Sequence, residues 1–367
     1  MNATTTGLFA PLRLREVELP TRVGMAPMSQ YQADPATHTV TGWHLPHYAA
    51  RARAGLGPVM VEATGISPQG LVTPHDLGLW DHTQQKGLAD VATAIAAAGA
   101  VPALQLSHGG RKASRTRPWD GDAHLRPDQG GWEVIGPSPL SFAPGYALPR
   151  PATTTDLEQV LADFARSARL ALEAGYRMIE LHAGHGRLLH SFLSPLANQR
   201  TDRYGGAFTH RIRLLVETVE AVRQVWPGKL PLAVRLSCED VQPGGWSMDD
   251  TLALVPILAR AGVDLIDCSS GGIRRPQQRR TGPGFQVPYA AAIRERTGVA
   301  TAAVGQINDT AHAEHILFTG QADLVLLGRA LLTHPQLTLA SQAAQHLVPP
   351  SYRRAHRPPA GEHLPEL

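Results

Sequence analysis

Cysteine is scarce: Cys238 and Cys268 are the only two in 367 residues, which excludes a disulfide framework and a four-thiolate cluster. Each ends or follows an apolar run and reads as a small buried side chain. A surplus of one charge is also missing, because 34 basic and 31 acidic residues leave +3, too balanced for a nucleic-acid surface. The one basic cluster, Arg274, Arg275, Arg279 and Arg280, is interrupted by Pro276 and set among glycines. A solvated loop is the favoured reading of it, over a grip on a phosphorylated cofactor. No apolar run approaches the roughly 18 to 20 residues of a membrane span. The opening MNATTTGLFAPLRLREVELP lacks the basic segment and apolar stretch of an export signal. A cytoplasmic protein without nucleic-acid or membrane partners is expected.

What the chain does contain is alternation. Short β-branched or apolar runs are each followed by a longer stretch of helical period, the pattern of parallel strands with crossover helices. The candidate strands are Arg22–Ala26, Pro58–Glu62, Val101–Leu106, Met178–His182, Leu232–Leu236, Leu265–Ser269, Thr301–Val304 and Leu324–Leu327. Eight such strands close a barrel, so the expected fold is α/β, a single (β/α)8 TIM barrel over residues 1–347. Between strands, Thr155 and Glu158 have capping-box spacing ahead of the stripe Leu157, Val160, Leu161, Phe164 and Ala168, with Gly175 as the stop. Ser247 and Asp250 repeat the box before a helix that ends at Gly262, and Asn308 and Gly320 bracket another.

Two segments break the rhythm. Residues 108–152, rich in Pro, Gly, Trp and Arg, make too long a connection after the third strand for an ordinary loop and suggest a lid or hairpin. Its Trp119, Trp132, Phe142 and Tyr146 either cap a pocket or pack beneath the loop. Residues 348–367 are Pro-rich without apolar period, an extended tail.

In a barrel the chemistry collects at the C-terminal strand ends. Strands seven and eight run into Gly305 and Gly328, and Arg329 follows with a fork of donors suited to phosphate. Tight turns alone also call for glycines there. Gln105 can donate to and accept from a flat heterocycle, and Arg235 on an apolar strand needs a buried anionic or carbonyl partner. His182 and His185 finish the fourth strand three residues apart. They are read as donors that polarise a carbonyl or phenolate oxygen, against a metal pair, for which Glu180 is thin support, or a structural role.

Taken together, GMAPMSQY (Gly24–Tyr31), QLSHGGRKAS (Gln105–Ser114), IELHAGHGRLLHSFLSPLANQRTDRYGG (Ile179–Gly206), VDLIDCSSGG (Val263–Gly272) and LVLLGRALL (Leu324–Leu332) resemble the old yellow enzyme family. The likeness is to its bacterial thermophilic-like and xenobiotic reductase branch, and it runs from Leu8 to about Arg354. It implies an FMN-dependent NADPH dehydrogenase, or one using NADH, that reduces activated alkenes. Ala26, Pro27, Met28, Ser29 and Ala63 would border the flavin and Gln105 would bond its pyrimidine edge. Arg235 would sit near N1 and the C2 carbonyl, and Gly305, Gly328 and Arg329 would hold the phosphate. His182 and His185 would bind the acceptor's carbonyl oxygen beside Tyr31. The partners implied are a small enone, quinone or nitro substrate and further copies of the chain, as a homodimer or a dimer of dimers.

Three positions depart from the family pattern. Arg187 stands where relatives keep a tyrosine proton donor, and arginine does not release a proton near neutrality. Either Tyr31 or water then protonates the α-carbon, or the oxidant is a quinone, nitro compound or nitrate ester. Ser29 replaces a flavin-side cysteine, removing a polarisable, redox-active sulfur. At the tail, Arg354 best matches an arginine that reaches a neighbouring subunit's substrate, but the sequence runs on past it and lacks the family's aromatic end. A metal-dependent barrel hydrolase and a catalytically weak flavin-binding protein are the readings from other classes.

Overall fold

A computed structural model describes residues 7–275, 281–341 and 352. Eight parallel strands close a barrel: β1 Val23–Met25, β2 Pro58–Gly65, β3 Val101–Ser107, β4 Met178–Ala183, β5 Leu232–Ser237, β6 Leu265–Ser269, β7 Ala300–Ala303 and β8 Leu324–Leu327. Each pairs with its sequence neighbours and β8 returns to β1, with Val325 opposite Val23 and Leu327 opposite Met25. The expected strands are all present, with ends moved by a few residues. Because both faces of the sheet are covered, the strands read as continuous apolar runs rather than alternating ones.

The helices after successive strands are α1 His44–Ala52, α2 His82–Ala97, α3 Thr154–Glu173, α4 Arg213–Arg223, α5 Met248–Ala261, α6 Val287–Thr297, α7 Thr310–Phe318 and α8 Arg329–Thr333. The α3 stripe Leu157, Val160, Phe164, Ala168 and Ala171 is buried as its period demands. Its capping box, however, is Thr153 with Asp156, two residues earlier than Thr155 with Glu158. Both pairs have the spacing. The earlier one prevails because Arg150 clamps Asp156 through two bonds of 2.7 and 3.1 Å, and a good N-cap is worth about 1 kcal/mol. The Ser247–Asp250 box forms as read. At α7 the cap is Asp309, not Asn308: its carboxylate accepts from His312 N–H at 2.7 Å.

An antiparallel hairpin, Leu12–Leu14 with Val17–Leu19, closes the N-terminal end of the barrel. Arg15 at its tip pairs with Asp264 at 2.6 Å, just ahead of β6. Residues 108–152 carry one antiparallel bridge, Arg115 with His124, flanked by Thr116 N–H to Ala123 O and Leu125 N–H to Ser114 O, while Ile135–Gly136 pairs with Arg150–Pro151 in parallel. Pro137, Pro139, Pro144 and Pro149 lie in between and deny the intervening chain the N–H groups a ladder needs. Arg275 ties this region through Asp122 at 3.3 Å, and Arg274 donates to Leu196 O at 2.8 Å. Arg279 and Arg280 lie outside the described residues. So does the tail from Val348 apart from Tyr352, which packs with Ala54 and Leu339. Cys238 and Cys268 are both buried and free. Among the described residues no helix is long and apolar enough to cross a membrane.

Candidate active site

Strand register stacks a polar layer inside the barrel just below its C-terminal mouth. Gln105 lies opposite Glu180 on the neighbouring strand, and its amide nitrogen donates to Glu180 Oε1 at 2.7 Å. Arg235 lies opposite both His182 and Asp267, and its Nε is 3.2 Å from Asp267 Oδ2 yet has no hydrogen-bond partner. Burial and the charge of Asp267 raise the pKa of Glu180, and burial raises that of Asp267 against the pull of Arg235. Two carboxyls this deep hold a proton between them rather than two charges. Glu180 is thereby engaged inside the barrel with Gln105 and Asp267. Among the described residues no three His, Cys, Asp or Glu side chains gather as a metal site.

Above that layer, β4 ends in the imidazole pair. Gly184 N–H donates to His182 Nδ1 at 3.3 Å, which leaves the ring proton on Nε2. That Nε2 is 3.5 Å from Nδ1 of His185, and the rings meet edge to face at 5.2 Å. His185 Nε2 lies 2.5 Å from Ser269 Oγ at the end of β6. Ser269 is held in turn by Gln286, whose carboxamide oxygen accepts from both Ser269 and Ser270 hydroxyls at 3.0 Å while its nitrogen donates to Val304 O at 3.2 Å. Burial first, then the positive charges of Arg187 and Arg235, pushes the pKa of His182 well below the ordinary histidine range. It is a neutral N–H donor across the working pH range. His185 adopts φ +54°, a left-handed conformation uncommon for residues other than glycine, and its N–H donates to Ser237 Oγ at 2.8 Å.

The loop after β1 brings Ser29 and Tyr31 over the same mouth. Tyr31 has φ +55° and its ring takes Trp119 edge-on at 5.6 Å, so one aromatic of the 108–152 segment reaches the site. The other three pack beneath the segment: Lys112 lies over Phe142 at 3.9 Å, Arg115 over Tyr146 at 3.4 Å, and Trp132 donates to Gln69 O. The β1 loop is anchored from behind by Glu62, which accepts from Gln30 N–H at 2.5 Å and from Tyr48 OH at 3.1 Å. A bulge in β2 between Val61 and Thr64 turns Glu62 outward and presents half-buried Ala63 next to it. Burial pushes the Glu62 carboxyl up to about 8.

On the β5 to β8 side, Ala26, Pro27, Met28, Arg235, Gly305, Gly328 and Arg329 join His185 in the wall of a cavity of about 230 Å³. Gly305 has φ +123°, and a Cβ there would lie 2.9 Å from the Gln286 carboxamide, so no side chain fits without strain. Ser29, Ala63, Gln105, Tyr31, His182 and Arg187 stand outside that wall. Gln105 and His182 are tied to it through Glu180 and His185; Tyr31 is tied to Arg187 and Ser29 by electrostatics and a hydrogen bond. Arg354 lies outside the described residues. Ser269, Gln286 and Asp267 escaped sequence reading, although Ser269 and Asp267 belong to strand ends and are findable by the same rule that picked out Arg235.

The donor set fits a flavin nucleotide. A buried guanidinium nitrogen without a hydrogen-bond partner calls for a carbonyl or anion, a carboxamide stands beside it in the barrel, and a side-chain-free backbone approach at Gly305 suits a phosphate. A parallel barrel with these groups at its strand ends belongs to the class of flavin-binding oxidoreductase barrels. Comparison with known proteins makes this specific. Residues 7–348 match the NADH:flavin oxidoreductase / NADH oxidase family. NADPH dehydrogenase of Geobacillus thermodenitrificans is 40% identical over 357 residues, covering 96% of this chain and 99% of that protein. NADPH dehydrogenase of Bacillus subtilis is 38% identical over 328 residues, covering 89% and 92%. Among solved structures, morphinone reductase superposes with a TM-score of 0.76 at 27% identity, over 92% of this chain and 90% of that one. The old yellow enzyme homologue from Zymomonas mobilis gives 0.75 at 26%, over 90% of each. The chain belongs to this family as an old yellow enzyme relative, an FMN-dependent oxidoreductase whose hydride donor is a reduced nicotinamide.

Proposed function

We propose that the enzyme takes hydride from NADPH and reduces the activated C=C bond of α,β-unsaturated carbonyl compounds, both half-reactions passing through one site. Bound FMN supplies the hydride relay, from the nicotinamide to the acceptor's β-carbon. Gln105 would bond the flavin's pyrimidine edge. Arg235 would stand by N1 and the C2 carbonyl, its fixed charge favouring an anionic reduced ring, with Asp267 moderating that charge. Ala26, Pro27, Met28, Ser29 and Ala63 would border the ring, and Gly305, Gly328 and Arg329 would hold the phosphate.

The observation that carries this reading is the imidazole pair. His182, neutral with its Nδ1 accepting from Gly184 N–H, and His185, held against Ser269, would be preorganised donors for an oxygen that gains negative charge as hydride arrives. Tyr31 is the remaining side-chain acid for the α-carbon. Burial raises its pKa, with Arg187 opposing, so it stays protonated and must act by position rather than by acidity. Arg187 at the family's proton-donor position favours a second reading, reduction of quinone, nitro or nitrate-ester acceptors, which need no carbon acid.

Anaerobic titration of the holoenzyme with NADPH, followed by 2-cyclohexenone, separates the two. Bleaching of the flavin and return of its colour with the enone is the expected result. Return with a quinone but not with the enone would reject alkene reduction in favour of the second reading.

A further inference from the structure

Arg187 is held where it is by backbone rather than by its side chain. Its N–H donates to Gly184 O at 3.1 Å and its carbonyl accepts from Ser191 N–H at 2.8 Å. The preceding Gly186 has φ +73°, and a Cβ there would fall 2.3 Å from Gly272 O, so the turn that presents Arg187 has one conformation. The side chain then lies among three elements of the site mouth, since its charge acts on Tyr31 of the β1 loop, Asp76 of the loop after β2 and His182 of β4.

That charge is unspent. Among the described residues the guanidinium makes no ion pair within 4 Å, and its buried Nη1 has no hydrogen-bond partner. Asp76 offers no room, because its oxygens already accept from Val72 N–H at 2.8 Å and from Thr73 N–H and hydroxyl at 3.3 and 2.8 Å. The other nearby cation of the inner layer, Arg235, faces Asp267. His182 beside Arg187 is neutral and His185 is engaged with Ser269, so the mouth carries a guanidinium without an ion pair next to its imidazole pair. A half-buried guanidinium whose buried Nη1 has no hydrogen-bond partner is matched to a planar carboxylate.

We propose that Arg187 forms an anion subsite that selects acceptors bearing a carboxylate beside the reducible group. The inference rests on the reading of this site as the acceptor site. It makes Arg187 a specificity residue that touches substrate, rather than a failed proton donor.

The test compares two acceptors of nearly equal shape and different charge, 4-nitrobenzoate and 4-nitrobenzamide. Their dissociation constants are measured by calorimetry on oxidised holoenzyme at pH 7, and their reoxidation rates on anaerobically reduced holoenzyme. Wild type is expected to bind the carboxylate about tenfold or more tightly, with the preference eroding as salt rises from about 0.05 to 0.5 M. R187Q should bring the ratio near one, and R187K should keep part of it. A ratio unchanged between wild type and R187Q overturns the proposal, as does an effect of R187Q confined to NADPH affinity. Should R187Q lose its flavin, a wild-type ratio indifferent to salt overturns it as well. If neither compound reoxidises the reduced enzyme while the binding ratio still follows Arg187, the acceptor reading fails and the anion subsite stands.

Discussion

The two sides of the barrel mouth are built differently. Toward β5 to β8, the surfaces that would meet the cofactor are backbone, glycine and a buried arginine locked by register: Gly305 cannot carry a side chain, and Arg235 is set opposite Asp267 by strand pairing. Toward β1 and β4, the side that would meet the acceptor is made of His182 at the end of β4 and side chains on loops, two of them at positive φ, Tyr31 and His185. Of the three departures from the family pattern, Ser29 and Arg187 belong to the loops after β1 and β4, and Arg354 lies outside the described residues. On the proposed reading, the groups that would hold the cofactor sit at strand ends, and the positions that would tune the choice of oxidant sit on loops, which tolerate substitution.

The sharpest way to break this comparison is to remove a donor from the acceptor side. His182→Ala is expected to lower kcat/KM for an enone by about 100- to 1,000-fold, the usual cost of an oxyanion donor, while flavin content and the NADPH-driven bleaching rate hold. A loss of less than about tenfold would mean that oxygen polarisation comes from elsewhere.

On the cofactor side, Gly305→Ala should do the reverse. Strain at φ +123° and the 2.9 Å approach to Gln286 cost about 1–3 kcal/mol, so FMN release followed by fluorescence should show affinity down by roughly tenfold. The ratio of rates between two acceptors should stay the same. If that ratio moves with Gly305→Ala, the division into two sides is wrong.

Glu62 links the acceptor side to the core and sets a pH signature. Its folded pKa of about 8 lies above the ordinary 4.5, so the stability tied to its proton is complete below about pH 4.5. It declines as pH rises and is gone above about 8. The difference in Tm between wild type and Glu62→Gln should therefore fall from pH 5 to 8 and level off beyond. A difference independent of pH would show that Gln30, Tyr48 and their neighbours keep the carboxylate ionised.

Much of this was legible before the structure. Parallel strands buried on both faces declare themselves as uninterrupted apolar runs, which is why all eight were found, and Gln105 and Arg235 stood out because a polar residue in such a run must face a partner. What stayed hidden depends on contacts between segments far apart in sequence. The overlapping TTTDLEQ run offers two capping boxes, and only the distant clamp of Arg150 decides between them. Asn308 and Asp309 are both competent caps. The Ser269–Gln286 support beneath His185 joins β6 to the start of α6, and the bulge that turns Glu62 outward leaves no mark in residue type.

Trp119 offers the smallest and most discriminating effect. The residue is 59% exposed, yet its ring meets Tyr31 at 82° and 5.6 Å and lies beneath Arg117, itself tied to Asp120 at 2.6 Å. An exposed indole so placed either covers the acceptor or steadies Tyr31. An aromatic pair is worth about 0.5–1.5 kcal/mol, so Trp119→Ala should raise KM for a bulky enone by about two- to tenfold in steady-state assays. A lid over the acceptor predicts that the increase grows with acceptor size and that 2-cyclohexenone is nearly indifferent. A support for Tyr31 predicts the same modest loss for every acceptor that needs a proton at carbon and none for a quinone, because only the former calls on the phenol that Trp119 holds in place.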